Sequence, residues 1–127
     1  MFSWAGWLAW LIALTGCESI PSAPKHEFRA VWVVTSFNID WPSKSGLSPE
    51  VQQKEFLDLL DYQQSLGTNA VIVQVRGSGD ALYPSKLAPW SAYLTGTQGK
   101  NPEYDPLAFM IEACHARNME FHAWLNP

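Results

Sequence analysis

The chain predicts an α/β fold. It reads as a β-α-β-α-β run with parallel strands, the N-terminal portion of a (β/α)8 TIM barrel truncated after its third strand. Three observations predict this. Three apolar runs alternate with two amphipathic patterns, and that order favours parallel pairing through right-handed crossovers. The runs are apolar at their centres, as in a sheet buried on both faces, yet polar residues recur near their C-terminal ends, as they would at a barrel mouth. Finally, the chain has 127 residues and stops at Pro127, directly after the third run, whereas a closed eight-unit barrel needs roughly 200 or more.

The first strand is expected over Phe28 to Thr35 (FRAVWVVT), the second over Asn69 to Arg76 (NAVIVQVR) and the third over Met119 to Asn126 (MEFHAWLN). The β-branched content of the first two favours strand over helix. Period-2 alternation puts Val71, Val73 and Val75 on one face of the second strand, with Gln74 and Arg76 opposite. In the third strand it puts Phe121, Ala123 and Leu125 on one face and His122, Trp124 and Asn126 on the other. The first helix is expected over Pro49 to Leu66, with Ser48 as N-cap, Pro49 at the first helical position and Glu50 in the first turn. Phe56, Leu59 and Leu60 define its apolar face and Gly67 its stop. The second helix runs from about Pro106 to Arg117 between an Asp105 N-cap and an αL Asn118, with Leu107, Ile111 and Cys114 on its inner face. A small open βαβαβ domain is the other reading of this pattern, but it gives no reason for the polar row.

The first 27 residues read differently. Ser3 to Thr15 is almost wholly apolar and about 14 residues long, the length of a signal-peptide hydrophobic region rather than of a spanning helix. It runs into Leu14-Thr15-Gly16-Cys17, which resembles the lipobox of bacterial lipoproteins. The expected organisation is therefore a signal peptide over 1–17 ending at Cys17, the site of lipidation, a tether over 18–27, and a partial barrel domain over 28–127. Acyl chains on Cys17 would anchor the chain at about 0.8 kcal/mol per buried methylene. The departure from the pattern is a start, Met1-Phe2-Ser3, without Lys or Arg. An apolar helix buried in a core is the competing reading. With Cys17 acylated, Cys114 is left as a lone thiol in a helical pattern, a small core residue.

Composition narrows the function. Hydrophobic residues make up 47% and aromatic residues 13%, with seven Trp, which excludes disorder. Eight Lys and Arg against twelve Asp and Glu give a net charge of -4, which excludes a basic nucleic-acid binder. Two cysteines cannot build a disulfide scaffold. No P-loop, HExxH, CxxC or Gly-x-Ser-x-Gly is present, His26, His115 and His122 lack metal-ligand spacing, and neither a metal nor a cofactor is expected.

Functional residues of parallel α/β folds gather at the C-terminal strand ends and the loops that follow. Here those are Ser36 to Leu47, Gly77 to Tyr104 and Asn126 onward. The middle loop, about 28 residues, is longer than connections without a function usually are. It contains Tyr83, Trp90, Tyr93 and Tyr104. Aromatics interleaved with hydroxyls and amides suit a sugar-binding cleft. In that reading Trp41, Trp90 and Trp124 stack on pyranose faces while Asp40, Arg76, Asp80, His122 and Asn126 bond hydroxyls. Arg76 can orient Asp80 or a substrate carboxylate, or simply pair with Asp80 to hold the loop. His122 is a substrate donor, an acid/base or a satisfied core histidine. Glycoside hydrolysis requires two carboxyl groups across the scissile bond, and neither Asp40 nor Asp80 sits in a pattern that marks such a pair.

Residues 28–42 (FRAVWVVTSFNIDWP), 74–96 (QVRGSGDALYPSKLAPWSAYLTG) and 104–127 (YDPLAFMIEACHARNMEFHAWLNP) closely resemble the glycosyl-hydrolase-like family 10 proteins, long described as bacterial lipoproteins. The resemblance covers about Glu27 to Pro127. It implies a (β/α)8 glycosidase barrel, secretion, often a lipid anchor, and action on bacterial cell-envelope polysaccharide, with peptidoglycan glycan strands favoured. It also implies that the catalytic carboxylates lie beyond Pro127, so that only substrate-cleft roles carry over here, to Asp40, Arg76, Asp80, His122 and Asn126. The expected protein is an envelope hydrolase held by Cys17, facing the periplasm, with the outer membrane favoured because Glu18 rather than Asp follows Cys17. The expected partners are a polysaccharide and the membrane. The chain as it stands is expected to be inactive and, with two open sheet edges, prone to aggregate. A non-catalytic carbohydrate-binding or scaffolding lipoprotein is the second reading, and a metal-dependent polysaccharide deacetylase the third.

Overall fold

The structure, a computed structural model, describes residues 27–127. The expected signal peptide, Cys17 and almost all of the tether lie outside the described residues. Strand β1 spans Ala30–Val33, helix α1 Pro49–Ser65, strand β2 Ala70–Arg76, the one-turn helix α2 Ala92–Thr95, helix α3 Pro106–His115 and strand β3 Glu120–Leu125. The strands form one sheet in the order β1-β2-β3, both pairs parallel. All three expected strands are present, each shorter by one or two residues at one or both ends than the apolar run that announced it.

Helix boundaries follow local chemistry. Pro49 opens α1, where its missing N–H costs nothing. Ser48 holds the N-cap position, but its side chain makes no capping bond; its carbonyl accepts Gln52 N–H at 3.0 Å. Gly67 takes φ +82° past the helix end, and its N–H closes onto Gln64 O at 2.9 Å. Asp105 caps α3 as expected, its Oδ1 accepting Ala108 N–H at 3.0 Å. Asn118 adopts the left-handed conformation at φ +54°.

Both long helices cover the same face of the sheet. Val71, Val73 and Val75 of β2 and Val33 of β1 share one core with Phe56 and Leu60 of α1 and Met110, Ala113 and Cys114 of α3. A sheet whose strand order advances in one direction through right-handed crossovers places its helices this way. The arrangement is compatible with the opening portion of a TIM barrel. The apolar stripe of α3 is rotated from its expected position: Pro106, Met110, Ala113 and Cys114 are buried at i, i+4, i+7 and i+8. Leu107 only flanks the core, and Ile111 is no part of it. On the opposite face Trp32 is 57% exposed and Phe28 56%, so burial on both faces is not realised among the described residues.

The long loop after β2 carries structure of its own. Ala81 pairs with Trp90 in an isolated parallel bridge. Ala81, Leu82 and Leu94 are buried. Leu82 N–H bonds Val75 O at 3.0 Å, and Gly46 N–H bonds Leu94 O at 3.0 Å. The loop is thereby fixed to β2 on one side and to the β1–α1 connection on the other.

Candidate functional site

The C-terminal ends of the three strands are tied together by side chains. Gln74, buried in the last turn of β2, accepts Thr35 N–H at 3.2 Å and Ser36 N–H at 3.0 Å through Oε1, while Thr35 Oγ1 donates to Gln74 O at 2.7 Å. Asn126 donates through Nδ2 to Gly77 O at 2.9 Å and through its backbone N–H to Arg76 O at 2.9 Å. Trp124 Nε1 donates to Asn126 Oδ1 at 2.8 Å. A side chain at residue 77 would collide with this arrangement, because a Cβ there would lie 2.2 Å from Ser36 Oγ. The resulting floor joins β1, β2 and β3 at the end where α/β folds bind ligands.

Two carboxylates stand above this floor, each already holding backbone. Asp40 Oδ2 accepts Val34 N–H at 2.7 Å, and Asp40 is otherwise exposed. Asp80 is buried and folds back on its own loop, Oδ1 accepting Ser78 N–H at 3.0 Å. Among the described residues Arg76 forms no ion pair with Asp80, and its buried Nε has no hydrogen-bond partner. The expected structural ion pair is therefore not made, and Arg76 Nε is left without a partner among the described residues. A buried donor without a partner is costly, so this one calls for an acceptor.

Not every expected site residue reaches the strand ends. Trp41 is only 1% exposed; its ring packs edge-on to Phe56 at 5.7 Å and its Nε1 donates to Gln52 O at 2.8 Å. It is a core residue with no free face for a sugar, because the turn after Asp40 drives it inward over α1. His122 lies opposite Ile72, at mid-strand, where it bonds Glu120 at 2.9 Å and meets Phe28 edge-on at 5.4 Å. Alternation gave its face correctly, but not its depth, and it is not brought to Arg76 or Asp80. Trp124 meets Trp32 edge-on at 5.2 Å across the open face. Trp90 stands in the long loop, bridged to Ala81 and half-buried against the core.

Some participants were not anticipated. Alternation places Gln74 on a polar strand face and does not show that it latches two strand ends; a lone amide in a run of valines is the available signal. Phe37 carries no sequence signal. It is 77% exposed in a left-handed conformation at φ +58°, beside Tyr93 at 5.5 Å. A bulky residue pays strain there, and the next residue explains how it is held: Asn38 Nδ2 donates to Pro42 O at 3.0 Å and Tyr93 O at 2.9 Å.

A parallel sheet with a braced polar floor at its strand ends and exposed aromatics beside it defines an α/β protein whose candidate site is the C-terminal edge of the sheet. The chain belongs to the family described as glycosyl hydrolase-like 10, whose sequence model matches residues 27–126. It is similar to the glycosyl hydrolase YngK of Bacillus subtilis, 62% identical over 102 residues that make up 80% of this chain and 20% of the relative. It is also similar to the glycosyl hydrolase DigH of Escherichia coli K12, 45% identical over 106 residues, 78% of this chain and 24% of that relative. The chain thus spans about a fifth to a quarter of the length of these curated relatives.

Proposed function

We propose that these residues form the first three strands of a (β/α)8 glycoside hydrolase acting on bacterial cell-envelope polysaccharide, with peptidoglycan glycan strands the favoured substrate. The observation that carries the reading is the buried Arg76 Nε, without a partner among the described residues, beside the braced strand ends, in a chain whose family and relatives are described as glycosyl hydrolases. Arg76 orients the glycan by a fixed fork of donors. Asn126 and Gln74 keep that fork in register, while Phe37 and Trp124 offer apolar faces to sugar rings. Asp40 and Asp80 are committed to backbone N–H groups, and the acid and its partner carboxylate come from strands other than these three. The chain by itself does not turn over.

The test exchanges residues 27–126 for the matching segment of the full-length Bacillus subtilis relative and follows release of soluble fragments from purified glycan strands. The chimera is expected to cleave, and Arg76→Ala to lower kcat/KM by about 10- to 100-fold through lost positioning. Binding without cleavage, in a chimera that folds, would replace this reading with the non-catalytic carbohydrate-binding one. The proposal extends to location. The Leu14-Thr15-Gly16-Cys17 sequence supports a lipid anchor at Cys17 holding the protein in the envelope, facing the periplasm, on the outer membrane. Incorporation of labelled palmitate that persists in Cys17→Ser would refute the anchor.

A further inference from the structure

A cleft of about 470 Å³ opens in the long loop, lined by Ser85, Trp90, Asn101, Glu103, Tyr104 and Asp105 among others. None of Asp40, Arg76, Asp80 and Asn126 lines it. We infer that this cleft is a second saccharide subsite, separate from the strand-end floor, that takes an uncharged pyranose unit of the glycan; the inference rests on the glycan-binding reading above.

The walls are fixed before any ligand arrives. Tyr104 donates its hydroxyl to Gln52 Oε1 at 2.9 Å and meets Phe109 edge-on at 6.4 Å. Gln52 is itself immobilised, its Nε2 donating to Leu47 O at 2.8 Å and Leu94 O at 3.0 Å. Trp90 is held by its bridge to Ala81 and by Gly99 N–H on its carbonyl at 2.8 Å. Tyr104 is fixed through its own hydroxyl, and Trp90 through its backbone and the partial burial of its ring against the core; such walls bind a ring without losing much freedom, which is how preorganisation raises affinity.

The free polar groups then select the ligand. Trp41 and Trp124 direct their indole N–H groups to protein oxygens; the half-buried Trp90 makes no such bond among the described residues, leaving a donor in the cleft wall. Ser85 Oγ accepts Leu87 N–H and Ala88 N–H, each at 3.1 Å, and retains its own O–H for donation. Asn101 Oδ1 accepts Glu103 N–H at 2.8 Å, which leaves its amide N–H groups available. Glu103 sits at φ +71° with an exposed side chain, and its carboxylate is an acceptor for hydroxyls. Asp105 spends one oxygen on the α3 cap. Two carboxylates and no Lys, Arg or His line the cleft, so a sugar acid is repelled. Aromatic faces with mixed donors and acceptors and a negative rim suit an uncharged sugar.

The test titrates the isotope-labelled full chain with chitotetraose, an uncharged oligosaccharide, and with tetragalacturonate, an acidic one of the same length, following the Trp90 indole N–H by NMR. Chitotetraose is expected to shift that signal and tetragalacturonate to leave it unmoved. Trp90→Ala is expected to weaken chitotetraose binding roughly tenfold. Glu103→Gln, a surface change, is expected to admit tetragalacturonate, a gain that misfolding cannot produce. A Trp90 signal that chitotetraose does not move, or equal binding of both probes by the unaltered chain, overturns the inference. Because binding is read here and cleavage in the chimera, loss of one with retention of the other identifies which reading has failed.

Discussion

The two faces of the sheet differ sharply although they share every backbone hydrogen bond. On the helix side Val71, Val73, Phe56, Leu60, Met110 and Cys114 are all fully buried. On the other side Trp32 and Phe28 are more than half exposed, and Trp124 and His122 each combine an edge-on aromatic contact with one side-chain hydrogen bond. The first face is a finished core assembled from β1, β2, α1 and α3. The second presents aromatic and polar side chains in fixed positions with nothing among the described residues packed over them. The closed face therefore carries most of the stability, and substitutions on the two faces are expected to have effects of different size.

The largest effect is expected on the closed face. Phe56 is fully buried between Trp41 and Phe109, with ring centroids 5.7 and 6.3 Å away. Phe56→Ala removes a whole ring from a packed site, at a cost of about 3–5 kcal/mol. Denaturant unfolding of the two proteins measures it. A loss below about 1.5 kcal/mol, the range of volume-conserving swaps, would mean that this face is no more closely packed than the other.

The closed face also predicts a pH dependence. Burial pushes the Cys114 thiol up from 9.0 to about 11, with the Arg117 charge acting the other way. The folded protein thus holds the thiol neutral where the unfolded chain would ionise it. Its contribution is fully present below pH 9 and is lost as pH rises through about 11. The loss is on the order of 2 kcal/mol if burial is complete. Urea midpoints taken from pH 8 to 11 should fall more steeply in the unaltered chain than in Cys114→Ala. Parallel curves would show that water reaches the thiol and that the closed face is not sealed at α3.

Much of this fold was legible in the sequence, because its signals are local. Runs of β-branched residues marked the strands, Pro49 and Pro106 with their preceding caps marked the helix starts, and alternation separated the valine face of β2 from Gln74 and Arg76. What was not legible depends on how elements dock. The rotation of α3 that buries Met110 rather than Ile111 is set by the surface it meets. Trp41 follows an aspartate in a polar loop, and only the path of that loop carries it into the core. The position of His122 along β3 comes from the parallel register with β2, which no single strand reveals. The candidate site was half legible for the same reason: the alternation placed Arg76 and Asn126 at the strand ends, whereas the latch made by Gln74 needs β1 and β2 paired, and the cleft walled by Trp90 and Tyr104 needs the long loop folded.

The smallest effect is expected on the open face and asks whether its order is intrinsic. Trp32 and Trp124 sit on β1 and β3, separated by β2, yet their rings meet at 5.2 Å and 85°. Trp124 is oriented further by its N–H bond to Asn126, which in turn holds Gly77. An edge-on aromatic pair contributes about 0.5–1.5 kcal/mol beyond the area it buries. A double-mutant cycle with Trp32→Ala and Trp124→Ala should return a coupling of that size, well below the cost of Phe56→Ala. Coupling of this magnitude would mean that the strand-end floor is braced from across the sheet before any ligand or further strand arrives. Zero coupling would mean that the two rings touch without holding each other, and that the order of this face must come from whatever covers it.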